Sequence, residues 1–221
     1  MSPAAPRPSG RSAPPDPART GPTRWRLTLA GLAAALAVGV GPAQAAPEAA
    51  VPAVPAVRIV NGCALWPYAQ CPGVDLRHAD LTGLDLRGAD FTGALLARAQ
   101  LRSANLAGAR LDGADLTGVQ AYALNAPGAS FLGARLVGAH LEQARLFRAD
   151  FSGADLDGAS LEAAKLNLVF FVGARLTQAN LQEAKFVGSN LKGADLRGSL
   201  LRFAIFPEAH LVQCLGCPEG W

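Results

Sequence analysis

The sequence predicts a repeat fold in which short units of chain stack on one another to form a rod. Two observations predict it: an apolar residue recurs at every fifth position from Leu76 to Leu211, and phenylalanines recur at multiples of four such five-residue units. An α-helix repeats its side chains every ~3.6 residues and a strand every ~2, so neither fits this period. A five-residue unit cannot bury its own apolar side, so neighbouring units must stack.

Each five-residue unit carries one large and one small apolar side chain. Of the 28 centre positions from Leu76 to Leu211, 20 are Leu and six are Phe, and the exceptions are Ala121 and Ala126. Alanine fills most of the positions two places before a centre, and glycine fills about half of those two places after it. The centre and the small residue before it are expected to fill the interior of the rod, while the other three positions face water.

The phenylalanine spacing gives the number of units in one turn of the rod. Phenylalanines lie four or eight units apart in two series, which are Phe91, Phe131, Phe151, Phe171 and then Phe186, Phe206. We therefore expect four units per coil. Phenylalanine then stacks on phenylalanine, and leucine on leucine, along each side.

Units such as "ADLTG" (79–83), "ADFTG" (89–93) and "ADLRG" (194–198) resemble the pentapeptide-repeat family. The resemblance covers about 74–213 and implies an all-β fold, a right-handed quadrilateral β-solenoid of about seven coils. Ala121 and Ala126 depart from the family pattern at adjacent corners, next to Pro127. We therefore expect a local dent or bulge there.

Residues 1–45 are typical of a secretory signal peptide. The uncharged run Leu27–Val40 follows a basic region and precedes "AQA" at 43–45, which predicts cleavage near Ala45/Ala46. An uncleaved anchor or a buried helix is the alternative, although the run is shorter than the ~20 apolar residues that a membrane span needs. Cleavage predicts a secreted, periplasmic or cell-envelope protein with no membrane span, and residues 46–62 are expected to form an Ala/Pro-rich linker.

Removal of residues 1–45 also changes the charge balance. The remaining chain has 15 basic and 16 acidic residues, so the positive charge of the full sequence belongs to the export signal. A nearly neutral chain gives no reason to expect nucleic-acid binding.

The four cysteines lie outside the predicted repeat, two at each end. A shared zinc site or long-range disulfides would need the two ends of the rod to meet, because disulfide-bonded Cα atoms lie only ~4.4–6.8 Å apart. We therefore expect two local disulfides, Cys63–Cys71 in an N-terminal cap (63–73) and Cys214–Cys217 in a C-terminal cap (214–221). The C-x-x-C spacing of Cys214 and Cys217 also occurs in redox enzymes, although those place it at a helix start.

Charges alternate along one predicted side of the rod. The residues that precede successive centres there are Asp115, Arg135, Asp155, Arg175 and Asp195. Neighbouring coils would bring them close together, and like charges directly opposite one another are destabilising. This pattern indicates a surface ladder that fixes the register of the coils.

Two groups of apolar residues fall at outward positions and are candidate interaction surfaces. The first group, called here the middle patch, is Phe147, Leu168, Phe170 and Val172; the second, called the C-terminal patch, is Leu200, Phe203 and Ile205. A monomer seldom exposes a large contiguous apolar patch without a use. The alternative is that the terminal cap or a Pro-rich segment covers them within the monomer.

No catalytic constellation, metal-binding cluster or cofactor motif is recognisable in the sequence. The expected function is therefore a non-enzymatic structural scaffold or protein–protein interaction module with an unknown protein partner, and a homodimer is possible. A second hypothesis is that the chain mimics DNA and inhibits a type II topoisomerase (DNA gyrase), as some proteins of the family it resembles do. Such mimicry needs a strongly anionic surface to replace phosphates, whereas this chain is nearly neutral. A third, weaker hypothesis is disulfide exchange at Cys214 and Cys217.

Overall fold

A computed structural model describes residues 57–219, which begin with a β-hairpin. Strand β1 (Arg58–Val60) pairs antiparallel with strand β2 (Cys63–Leu65), so that Val60 lies opposite Cys63. Asn61 and Gly62 form the turn and both have positive φ, 48° and 78°, as a two-residue type I′ hairpin turn requires. The predicted linker over 46–62 is therefore wrong at its C-terminal end, because residues 58–62 belong to the hairpin. The rest of the linker (46–56) and the signal peptide (1–45) lie outside the described residues.

The remainder of the described chain is a β-solenoid with four five-residue units in each coil. Isolated parallel bridges join each residue that precedes a centre to the residue four units later, from Gln70↔Asp90 to Asp195↔Leu215. The ladder therefore extends beyond the predicted 74–213 at both ends. Cys71 occupies a centre position within it, so the repeat begins one unit earlier than the leucine pattern indicates.

Three kinds of backbone hydrogen bond hold the coils together, as the unit around Leu156 illustrates. The Leu156 N–H donates to the Arg175 carbonyl of the next coil (2.7 Å), and the Asp155 N–H donates to the Ala134 carbonyl of the previous coil (3.0 Å). The Gly158 N–H also donates to the next coil. Most polar backbone groups of each unit are thus satisfied by the coils above and below it.

Each unit ends in a β-turn that carries the chain around a corner. The residue three places after a centre donates its N–H back to the centre's carbonyl, as Ala159 does to Leu156 (3.0 Å). The residue two places after each centre has φ between 53° and 76°, which is the requirement at the third position of a type II turn. Glycine fills about half of these positions because it has no Cβ to clash in the left-handed region.

The interior consists of the centre residues and the small residues two places before them, as predicted. Every centre from Leu76 to Leu196 is at most 1% exposed. The predicted aromatic stacking is confirmed, since ring centroids of Phe131 and Phe151 lie 4.5 Å apart and those of Phe186 and Phe206 lie 4.6 Å apart. The rings in each pair are nearly parallel, at 2° and 6°.

The dent or bulge predicted at Ala121 and Ala126 interrupts neither the hydrogen-bond ladder nor the core. The N–H groups of both residues donate to the next coil at the usual positions (2.8 and 2.9 Å), and both side chains are buried. The positions two places before them hold Val119 and Leu124, which are also buried. The large and small inward side chains have therefore exchanged places, which keeps the interior volume filled.

The register of the coils predicts that the same substitution has different effects at two leucines, one inward and one outward. Leu156 at a centre is fully buried, whereas Leu132 beside a centre is 42% exposed. We expect Leu156→Asn to lower the free energy of unfolding by about 3–5 kcal/mol, because a buried leucine is lost and an amide is left without partners. Chemical denaturation monitored by circular dichroism measures this change.

Leu132→Asn is the matched control, because it makes the same substitution at an outward position. It should change the free energy of unfolding by less than about 1 kcal/mol. Equal destabilisation of the two variants would show that the assigned register is wrong.

Candidate interaction surfaces

Both predicted disulfides are present, one at each end of the solenoid. Cys63 and Cys71 join strand β2 to the first inward position of the ladder, with Cα atoms 5.7 Å apart. Cys214 and Cys217 close a short loop at the other end, also with Cα atoms 5.7 Å apart. All four cysteines lie in the described part of the chain and none of them is free, so long-range pairing between the ends is ruled out.

The C-terminal loop covers one side of the last coil. The Leu215 N–H donates to Ala194, and Gly216 packs so closely on the backbone of Arg197 that an added Cβ would lie 2.8 Å from the Arg197 nitrogen. On the other sides, the N–H groups of Leu201 and Leu211 have no acceptor within residues 57–219. The predicted C-terminal cap thus leaves part of a hydrogen-bonding edge open in the described structure.

The C-terminal patch surrounds this open edge. Leu200, Phe203 and Ile205 are all exposed, and Phe203 is 66% exposed. The Arg202 guanidinium lies 4.6 Å from the centroid of the Phe203 ring, as in a cation–π contact. The described part of the cap therefore leaves these side chains accessible.

The middle patch lies at the corner and on the adjoining side of two central coils. Phe147, Leu168 and Phe170 are 46%, 44% and 46% exposed, and Val172 is half-buried. Leu168 rests on Gly188 of the next coil, where an added Cβ would lie 2.8 Å from the Leu168 Cδ2 atom. Phe170 is bridged to Asp150 and Asn190, so it stands on a regular rung of the ladder.

Exposed apolar side chains also lie outside the two predicted patches. Trp66 and Tyr68 near the N-terminal hairpin are exposed, and the Tyr68 ring lies against Gly88 of the next coil. Val212 and Leu215 add to the exposed apolar surface around the C-terminal patch. Val212 occupies an ordinary outward position, so the five-residue pattern could have identified it.

The predicted charge ladder is present on one side of the solenoid, although its ion pairs are not all between coils. Bridges join Asp155 to Arg175 and Arg175 to Asp195. Arg175 contacts Asp155 at 3.8 Å and Asp157 at 2.9 Å, whereas Asp195 pairs at 2.6 Å with Arg197 in its own turn. The hydrogen bonds from Arg197 lower the pKa of Asp195 to about 2.

The described residues contain no cluster of metal ligands, and two depressions on their surface are shallow. No group of three or more His, Cys, Asp and Glu side chains within 57–219 is placed to bind a metal ion. One shallow depression of about 230 Å³ adjoins Cys63 and Cys71, and one of about 250 Å³ lies between Lys192 and His210. Among these same residues, no helix is long and apolar enough to cross a membrane.

These features define a β-solenoid repeat protein whose notable surfaces are exposed apolar patches. The pentapeptide repeat model matches the chain in eight copies, over 64–93, 79–118, 94–131, 127–162 and 154–193. The chain therefore belongs to the pentapeptide repeat family. Comparison with curated protein sequences returns no match.

Solved structures similar to this chain include other pentapeptide repeat proteins. Full-length QnrB1, a plasmid-mediated fluoroquinolone resistance protein, is 20% identical over 66% of this chain and 84% of its own, with a TM-score of 0.46. HetL, involved in heterocyst differentiation regulation in the cyanobacterium Nostoc, is 23% identical over 66% and 87%, with a TM-score of 0.31. A protein from the Arabidopsis thaliana thylakoid lumen is 24% identical over 63% and 72%, with a TM-score of 0.24. The family assignment rests on the repeat model rather than on these superpositions.

The pairing of Asp195 with Arg197 predicts a measurable titration. Because the folded pKa is lowered from 3.8 to about 2, the pair favours the folded state above about pH 4, and this contribution is lost as the pH falls towards 2. We expect Arg197→Gln to raise the pKa of Asp195 towards 3.8, as measured by NMR titration of the carboxyl carbon. Asp75, whose pKa of about 2 depends on Arg77, is the internal control and should not shift. An Asp195 that still titrates near 2 in the variant would contradict this assignment.

Proposed function

We propose that this protein is an exported, non-enzymatic scaffold that binds a protein partner through its exposed apolar patches. The observation that carries the proposal is the middle patch, where three large apolar side chains remain about half exposed on an otherwise regular solenoid. Interfaces depend on a few apolar and aromatic anchors of this kind. A stacked repeat is suited to the role because it presents a fixed, extended surface.

The family assignment supports a finer description of the scaffold. We propose that the solenoid is right-handed and has about seven coils, as the family resemblance implies. Such a rod keeps neighbouring rungs about 4.8 Å apart. A partner would therefore meet side chains at a fixed spacing along each side.

Export is supported by the sequence of residues 1–45. The apolar run Leu27–Val40 and the "AQA" at 43–45 favour removal of this segment. Two disulfides in the remaining chain are consistent with an oxidising compartment.

Association with a second copy is supported by the open edge at the C-terminal end. The N–H groups of Leu201 and Leu211, which have no acceptor within the described residues, lie beside the exposed Leu200 and Phe203. An edge with free hydrogen-bonding groups and an apolar rim is a template for pairing with another chain.

Inhibition of DNA gyrase remains the second candidate function, and it is carried by family membership alone. The balance of 15 basic and 16 acidic residues after position 45 disfavours it, because a DNA mimic must replace phosphate charges. Potent inhibition of gyrase supercoiling by the purified chain would favour it over the scaffold.

The export proposal predicts the N-terminus of the protein in its host. Mass spectrometry of the protein isolated from the native host should find a chain that begins near Ala46. Recovery of the uncleaved chain from the cytoplasm would contradict export.

The interaction proposal predicts that the middle patch serves binding more than folding. We expect Phe170→Ser combined with Val172→Ser to abolish capture of a partner from the exported fraction of the host. The melting temperature should stay within a few degrees of the parent's, because both side chains are outward. Pull-down with quantitative mass spectrometry and thermal denaturation measure the two effects.

A second pair of substitutions separates partner binding from self-association. Leu200→Ser combined with Phe203→Ser should reduce dimerisation, measured by light scattering, and leave partner capture intact. If the middle-patch variant loses stability while capture is unchanged, the patch is covered within the monomer and the interaction proposal is wrong.

A further inference from the structure

Three cations occupy the same position in successive coils of the solenoid. Arg145 is bridged to Lys165, and Lys165 is bridged to Lys185. All three side chains are exposed, and neighbouring rungs are about 4.8 Å apart. We call these three residues the cationic column.

The residues of the cationic column form no ion pairs within the part of the chain that the structure describes. The ion pairs of the described chain involve other residues, and none includes Arg145, Lys165 or Lys185. Like charges on adjacent rungs are unfavourable. The side that carries Asp155, Arg175 and Asp195 avoids this cost by alternating its charges, whereas the cationic column repeats the same sign.

The cationic column is one residue wide and has different neighbours on its two flanks. Phe147 lies two residues after Arg145, and Leu168 lies three residues after Lys165, so one flank is the exposed edge of the middle patch. The other flank carries carboxylates on the three coils, which are Glu142, Glu162 and Glu183. Glu142 contacts His140 at 3.2 Å, and Glu162 accepts a hydrogen bond from Asn180 at 2.9 Å.

We propose that the cationic column, together with Phe147 and Leu168, binds an acidic amphipathic α-helix of the partner protein. This inference rests on the proposed function and names the chemistry of the partner. Carboxylates at positions i, i+3 and i+7 of a helix span about 10.5 Å along its axis, close to the ~9.6 Å covered by three rungs. Alternate residues of an extended strand would span about 13–14 Å and fit less well. Apolar residues on the adjoining stripe of the helix then contact Phe147 and Leu168.

The carboxylates beside the cationic column favour a partner segment about as narrow as the column over a broad anionic surface. A lipid bilayer or a nucleic-acid duplex would extend beyond the cationic column and approach Glu162 and Glu183 as well. A helix can place its carboxylates opposite the cations and keep polar neutral residues elsewhere. Charge complementarity therefore selects a protein segment rather than a membrane or nucleic acid.

A synthetic peptide tests the proposal directly. The probe is a fluorescent amphipathic peptide of about 20 residues, long enough for helix formation, with Glu at i, i+3 and i+7 and Leu on the adjoining stripe. At low ionic strength it should bind the parent chain more tightly than the same peptide with Gln in place of Glu, as measured by fluorescence anisotropy. Lys165→Gln combined with Lys185→Gln should raise the Kd about tenfold, the effect expected of two exposed ion pairs.

The control is Arg98→Gln combined with Lys192→Gln, which removes the same net charge away from the cationic column. Its Kd should stay within about twofold of the parent's. The proposal is overturned if the Glu peptide does not bind, if both double variants weaken binding equally, or if vesicles of phosphatidylglycerol bind through Lys165 and Lys185 while the peptide does not. One pair of results would separate the two proposals. If the Phe170→Ser/Val172→Ser variant loses partner capture but peptide binding does not depend on the lysines, the scaffold function stands and only the proposal of an acidic helix is rejected.

Discussion

The hydrogen bond from each centre residue to the next coil is the interaction on which the whole structure depends. It fixes the coil at four units, because the acceptor always directly precedes the equivalent centre of the next coil, as Arg175 does for Leu156. One inserted residue would shift every later side chain in its unit and turn centre residues towards solvent. The absence of insertions between Leu76 and Leu211 is thus a physical requirement of the ladder. A chain of alanines, leucines and few aromatics can therefore bury its centre residues almost completely.

The same ladder imposes a left-handed residue at every corner. Glycine meets this requirement at little cost, whereas a bulky side chain at φ > 0 is strained. Leu168 and Phe203 occupy such corners, with φ of 58° and 62°, and both belong to the proposed interaction surfaces. Other non-glycine corners, such as Arg98 and Gln143, have similar φ of 57° and 58°, so the ladder imposes this conformation whatever the residue. A corner position also points its side chain outward, which is where an anchor for a partner is needed.

The sequence could predict the interior of this fold because the five-residue period describes every inward position. Prediction failed where the period alone was not enough. At Ala121 and Ala126 the centre residue is small, and the larger Val119 and Leu124 two places before compensate for it. This compensation is recognised only when the two inward positions of a unit are considered together. At the N-terminus, Asn61–Gly62 is a strong hairpin signal, but the surrounding Pro/Ala/Val composition indicated a linker. The ion pairs of Asp195 and Arg175 depend on side-chain conformation, which the repeat pattern does not determine.

The solenoid converts a separation of four units in sequence into one of about 4.8 Å in space. Residues that form one surface feature therefore lie in a column that crosses successive coils, rather than in one continuous segment of the sequence. Asp155, Arg175 and Asp195 form a column in which the sign of the charge alternates from coil to coil, whereas Arg145, Lys165 and Lys185 form a column in which it repeats. The two columns share the same backbone and the same rung spacing. Their difference lies only in which residue precedes each centre, so a position that contributes nothing to the core can determine what the rod binds.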